Sequence, residues 1–229
     1  GNDFGGTIKG KIDHTTATSR TVFDAEMLQS ATYVKYLQGR VDSIFGGNYG
    51  SYNYARSVFK DYTYSQGEEN IPSTLGPGAP RLDENNKPVF SFPNMENNSF
   101  VHFIPVDNAT NKVGYIFGGS EGFPDHHRLN NAMQTEAYVL IDDTKTKDVN
   151  RFANVDIYGG GAFAGVGSTE TALGAGHTAV DLFAGSFHNV YGGCNQEGLV
   201  GYTRVNVPYG STVKVNALFG GSKGDSQAL

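Results

Sequence analysis

Tryptophan is absent from this chain, cysteine occurs once, and only 17% of the residues are charged. Each scarcity excludes something. The lone Cys194 cannot close an internal disulfide, and a zinc site would need other ligands gathered near it. Its place after Gly193 matches Asn48, Ser120, Gly161 and Ser222 after other glycine pairs, which marks it as a small turn residue. Net charge is −6, and Lys and Arg are scattered without a cluster of five. The basic stripe that a nucleic-acid groove requires is therefore missing. No apolar run approaches the roughly 20 residues of a spanning helix. No signal peptide is present either. Gly1 reads as a processing remnant, so the natural start is expected to lie upstream.

Catalytic signatures are also wanting. There is no Gly-x-Ser-x-Gly elbow, no P-loop and no His-Glu-x-x-His. A polysaccharide-cleaving enzyme needs paired carboxylates, or a Lys or Arg base with acidic calcium ligands, on one strand face. The regular segments hold only isolated acids, Asp42, Asp156 and Asp181.

What the chain has in quantity is glycine, 31 of 229 residues, with aromatics at 12%. Glycine for corners beside β-branched and aromatic residues for pleated surfaces indicates an all-β protein. That aromatic content with so small a net charge excludes disorder, and a chain of this length buries enough surface to need no staple.

The glycines sit in a repeat. Val34–Gly47 aligns without a gap on Val180–Gly193, with identical Val, central Gly and final Gly-Gly. The ending recurs as Ile44-Phe-Gly-Gly47, Ile116-Phe-Gly-Gly119, Ile157-Tyr-Gly-Gly160, Val190-Tyr-Gly-Gly193 and Leu218-Phe-Gly-Gly221. Further glycines occur at 50, 122, 165, 198 and 224, where positive φ is expected. Thr203, Val205 and Val207 alternate with Arg204 and Asn206, the period of a strand buried on one side. Between corners there is no room for crossover helices. Parallel strands without helices are attainable when each turn of chain coils onto the last, and the spacing suits coils of roughly 20–30 residues. The expected fold is a single parallel β-helix domain over 1–229, its aromatic positions 45, 117, 158, 191 and 219 lining a common interior column. Two long stretches, about 49–111 and 122–151, are expected to be loop insertions. A hairpin is expected from 90–92 and 100–104, and a strand at 137–142. Residues 24–39 have helix-start and helix-stop signals, but the repeat overrides the second half, leaving a short capping helix at about 24–31.

The quoted units resemble the glycine-rich repeats of secreted right-handed parallel β-helix proteins, above all large surface proteins of gut Bacteroidetes and autotransporter-like adhesins. The corner Val190-Tyr-Gly-Gly193 with Gly198–Val207 after it carries the likeness, which covers 154–224, 34–50 and 113–122 and fails across both insertions. The resemblance implies right-handedness, a secreted or cell-surface location on the bacterial outer membrane exterior, and membership of a longer repeat array. It implies no catalytic residue. Calcium in the corners is excluded, because the glycine pairs lack a subsequent Gly-x-Asp.

Two clusters are candidate sites. Tyr49, Tyr52, Tyr54, Tyr62 and Tyr64 crowd the first insertion beside Arg56. Aromatic faces with polar neighbours grip sugars and peptides, although the same rings equally suit packing of the loop onto the stack. Asp125, His126 and His127 converge in a loop as metal ligands do, or form a polar turn after Pro124. His102, His177 and His188 read as strand or corner residues. The functional expectation is a non-catalytic surface solenoid presenting loops for adhesion or glycan binding, with a glycan or surface protein as partner and no cofactor. The alternative is a polysaccharide lyase or glycoside hydrolase of β-helix type.

Overall fold

The computed structural model describes residues 7–8, 30–47, 81–82, 88–89, 94–95, 98–122, 136–166, 176–196, 198 and 200–224. The strands among them are β1 (Thr7–Ile8), β2 (Ser30–Tyr36), β3 (Arg40–Phe45), β4 (Arg81–Leu82), β5 (Pro88–Val89), β6 (Asn94–Met95), β7 (Asn98–Phe103), β8 (Lys112–Phe117), β9 (Glu136–Asp142), β10 (Asp156–Tyr158), β11 (His177–Tyr191), β12 (Tyr202–Asn206) and β13 (Thr212–Phe219). No helix occurs among the described residues. The fold is all-β, and nine strands share one sheet in which every pair is parallel. β1 pairs with β6, and β4 with β5, as separate short ribbons.

The pairing sorts into two rows. The first row runs β2, β7, β9, the front half of β11, and β12. The second runs β3, β8, β10, the back half of β11, and β13. One strand from each row makes a tier, and in the fourth tier the single strand β11 supplies both. Gly185, at φ 116°, marks where β11 passes from one row to the other. Gly39, at φ 120°, does the same for the first tier, so the two glycines aligned by the repeat have the same backbone duty.

Alternation explains the core. Val34, Val101, Val139, Val180 and Val205 fall in one register column of the first row. Tyr36, Phe103, Ile141 and Leu182 form the next inward column. Across from them Ile44, Ile116, Ile157 and Val190 line the second row, and both rows close on one apolar cluster. The second row breaks strict alternation. Its inward residues lie three apart at Val41 and Ile44, Val113 and Ile116, and Phe187 and Val190. The third tier is one residue shorter, with Val155 and Ile157 in those places.

The expected aromatic column exists but does not line this core. Phe45, Phe117, Tyr158, Tyr191 and Phe219 stack nearly parallel at 4.7, 4.9, 5.0 and 4.8 Å. Each ring comes directly after an inward aliphatic and therefore turns to the other side of the strand. There the rings of Phe117, Tyr158 and Tyr191 join Ala162 in a second buried cluster, with Phe45 and Phe163 against it.

Positive φ, expected at the glycines beyond the pairs, is found at Gly122, Gly198 and Gly224 (69°, 109° and 76°) but not at Gly165, while Gly50 lies outside the described residues. The members of the pairs do not adopt it, and glycine is required there for another reason. A Cβ built on Gly46, Gly118, Gly159 or Gly192 would lie under 3.0 Å from the carbonyl oxygen of the equivalent glycine one tier on. Close approach excludes any side chain. The oxygens are capped from within. Thr32, Ser99, Thr178 and Thr203, one register column of the first row, donate their hydroxyls to the carbonyls of Gly46, Gly118, Gly192 and Gly220. The third tier has Ala137 in that column.

Two expectations need correction. Asn98–Phe103 is not part of a hairpin but a strand of the first row, and Glu136–Asp142 lies beside it. The stretches 49–111 and 122–151 thus each contain a strand of the stack, which their proline- and asparagine-rich surroundings obscured. Residues 30–31 belong to β2, so a cap helix does not reach them; residues 24–29 lie outside the described residues.

Gly192→Ala is expected to lower the melting temperature by roughly 5–10 °C, because overpacking against a fixed carbonyl has no cheap relief. Ala137→Ser is expected to raise it by about 2–4 °C by supplying the missing hydroxyl. Thermal unfolding monitored by circular dichroism checks both, and a drop for Ala137→Ser would refute the capping role of the column.

Candidate functional site

Side chains on the opposite face of the first row form a continuous strip. At its start Phe100, Tyr138, Leu140 and Ala179 make a small buried cluster, with Tyr33 and Phe183 packed against it. The Tyr33 hydroxyl meets His102 Nδ1 at 3.1 Å. Farther along, three columns carry polar groups into the last two tiers. The register sets Glu136, His177 and Tyr202 side by side, then Tyr138, Ala179 and Arg204, then Leu140, Asp181 and Asn206.

Glu136, Tyr138 and His177 form a mutually bonded group. His177 Nδ1 is 3.0 Å from a Glu136 oxygen, and the Tyr138 hydroxyl donates to the other oxygen of that carboxylate. The same hydroxyl lies 3.2 Å from His177 Nε2. Burial lowers the His177 pKa, Glu136 offsets part of that, and Arg204 adds to the lowering. The imidazole is therefore weighted toward its neutral form at neutral pH. Tyr202 stacks on it at 4.5 Å and 10°, and the outer Tyr202 side is open, the residue being 60% exposed.

Beside the tyrosine, Arg204 pairs with the buried Asp181 at 3.0 Å, and Asn206 donates to the second Asp181 oxygen at 2.6 Å. A buried carboxylate held by two partners fixes the guanidinium in place, so Arg204 keeps a defined direction while remaining about half exposed. The result is a ring face, a fixed cation and an amide on adjoining positions of one flat sheet surface. Such a surface can stack on an apolar ring face and hydrogen-bond hydroxyl or carboxylate groups around it.

A second pair is structural. Asp156 accepts from the Asn189 backbone N–H at 3.1 Å and lies 2.8 Å from His188 Nδ1. This is the tier that is one residue short, and the carboxylate stands where a backbone carbonyl is missing. Cys194 is buried, donates to the Ala164 carbonyl at 3.2 Å, and has its thiol pushed up to about 12 by burial. The charged segment 142–148 leads out of the first row toward the second. It is tied back to the preceding tier by Lys147 and Arg151, 3.5 and 3.6 Å from Asp107.

The six expected binding residues, Tyr49, Tyr52, Tyr54, Arg56, Tyr62 and Tyr64, lie outside the described residues, as do Asp125, His126 and His127. Among the described residues no group of three or more His, Cys, Asp or Glu side chains is placed to hold a metal. The strip of Glu136, His177 and Tyr202 escapes a linear reading because its members are 41 and 25 residues apart in the chain. The usable signal is vertical: once the tiers are aligned on their valines, the three fall in one column.

No family model, no curated protein and no solved structure matches this chain. Among the described residues no helix is long and apolar enough to cross a membrane.

The site chemistry has two measurable outcomes. His177 has a folded pKa below its ordinary 6.5, so the unfolded chain binds the extra proton as pH falls through that value. Stability is therefore lost from about pH 6.5 downward and levels off below the folded pKa. Melting curves between about pH 8 and pH 5 should show this decline in the wild type and a flatter profile in His177→Gln. Cys194 should resist a thiol reagent in native protein at about pH 8 and react fully once denatured, because only the accessible thiolate attacks.

Proposed function

We propose that this chain is a right-handed parallel β-helix that works without catalysis, as a secreted or cell-surface module holding a glycan or another surface component. The solenoid reading rests on the parallel rows, the stacked corners and the recurrence of one register column through all five tiers. Right-handedness is supported by the strong preference of β-crossover-β connections between parallel strands. The binding reading is carried by one observation: Tyr202 presents an open ring face, supported from beneath by His177 and flanked by the fixed Arg204. Exposed aromatic faces beside oriented polar groups are the usual means of gripping pyranose rings and extended peptides. Glu136, Tyr138 and His177 bind one another, and the role assigned to them is to hold the platform rigid, which reduces the ordering cost of binding.

A glycan array probed with labelled protein tests the reading. Wild type should bind a defined subset of glycans. Tyr202→Ala and Arg204→Ala should each weaken binding roughly tenfold or more, as loss of a central anchor does, and Tyr115→Ala on the other row should leave it unchanged. Indifference of the bound set to Tyr202→Ala would discard the platform, and depolymerisation of an acidic polysaccharide by the purified protein would replace the non-catalytic reading with the enzymatic one.

A further inference from the structure

The third tier crosses from the first row to the second through residues 143–155, with a tier on either side of it. Two carboxylates stand where this crossing begins. Asp142 ends β9 opposite Ala184, at the point where β11 carries one extra residue. Asp143 comes next, its amide donating to the Ala184 carbonyl at 3.2 Å. The stem of Asp143 lies tight against the Gly185 corner, where an added Cβ would come within 2.9 Å of the Asp143 Cβ. Bulges of this kind re-aim neighbouring side chains.

Acids on a turn are ordinarily solvated, and these are not. Asp142 is 4% exposed, and Oδ1 of Asp143 is sealed from solvent. Three residues on, Thr146 is 9% exposed and its Oγ1 is equally sealed. Neither Asp143 Oδ1 nor Thr146 Oγ1 has a hydrogen-bond partner among the described residues. Burial raises the Asp143 pKa, and the nearby charge of Asp142 adds to the rise; the hydroxyl and amide of Thr146 and the charge of Arg151 offset part of it. The cations of the segment are engaged elsewhere. Lys147 and Arg151 pair with Asp107, and Arg151 also with Asp148. Lys147 is 88% exposed and Lys145 is exposed too, so the lysines that interrupt the acids stand in solvent.

Two carboxylates by themselves make only a charged turn. Here a buried hydroxyl faces them and supplies a third donor. A buried carboxylate oxygen and a buried hydroxyl oxygen without partners are each costly. A proton on Asp143 would relieve the first alone, whereas a cation between them relieves both. We infer that the start of this crossing is a calcium site, with Asp142, Asp143 and Thr146 as its protein ligands. Every donor is an oxygen, which selects a hard cation over zinc or copper. Calcium accepts irregular sets of about six to eight oxygens completed by carbonyls or water, whereas magnesium demands a near-octahedral set. Bound there, the ion ties the third-tier crossing to the fourth tier at Gly185. The inference does not depend on glycan binding.

The test uses the whole chain, freed of metal with EDTA. Calcium chloride titrated into it by isothermal calorimetry should fill one site per chain with a dissociation constant of about 1 mM or tighter, the range of extracellular calcium modules. The melting temperature should rise by about 3 °C or more at about 5 mM calcium, and magnesium at the same concentration should give no such rise. Asp143→Asn should abolish the calcium response yet leave the metal-free melting temperature equal to or above that of the wild type, because an uncompensated buried charge is removed. A carboxylate with a merely structural role would instead lower it. Thr146→Val, which keeps the shape, should weaken calcium at least threefold. Asp42→Asn, at an exposed position of β3, should respond as the wild type does. Absence of a calcium-linked rise in the wild type would overturn the inference and leave Asp143 as a protonated carboxyl. A rise that survives both Asp143→Asn and Thr146→Val would also overturn it, assigning the ion to other ligands. Should Asp143→Asn fail to fold, Asp142→Asn takes its place, with the same loss of calcium response expected.

Discussion

Everything in this stack depends on how closely one backbone can lie over another at a single corner. The carbonyl of each first corner glycine sits where the glycine before it would carry a Cβ. That contact fixes the rise between tiers at the strand spacing, and the spacing in turn aligns the other columns. Valines meet valines, rings meet rings at 4.7–5.0 Å, and a hydroxyl from the first row reaches the carbonyl that the corner leaves pointing inward. A side chain at the corner would separate the tiers there and misplace each of these columns at once.

Because the register repeats, residues far apart in the chain become neighbours on the sheet surface. The strip that ends in Tyr202 and Arg204 is assembled in this way, one column position per tier. Polar groups on it are bonded to each other: His177 to Glu136, Arg204 to Asp181, Asn206 to Asp181. A surface built on paired strands holds such groups more rigidly than a loop does, and rigid presentation lowers the entropy lost on association.

Much of the stack is legible in the sequence, because its constraints are local and repeated. Val34 and Val180 share a column, and Gly39 and Gly185 share a conformation, as the gapless alignment implies. The ring positions are recognisable from the repeat, but their side of the strand is not. The three-residue step from Ile116 back to Val113 changes which face the next ring takes, and strict alternation does not express that. β7 and β9 read as parts of insertions because neither ends in a glycine pair; the pair comes only after the second strand of a tier. The strip itself is least legible. Its contacts run across tiers, between residues 41 apart for Glu136 and His177, and nothing in a linear pattern marks that distance.

The short third tier has one further meaning. Asp156 lends an oxygen to the Asn189 amide. One coil of a tightly registered stack can therefore be a residue shorter than its neighbours without leaving an amide unserved, because a side-chain oxygen of the right reach does the work of a carbonyl and the columns on either side stay in step.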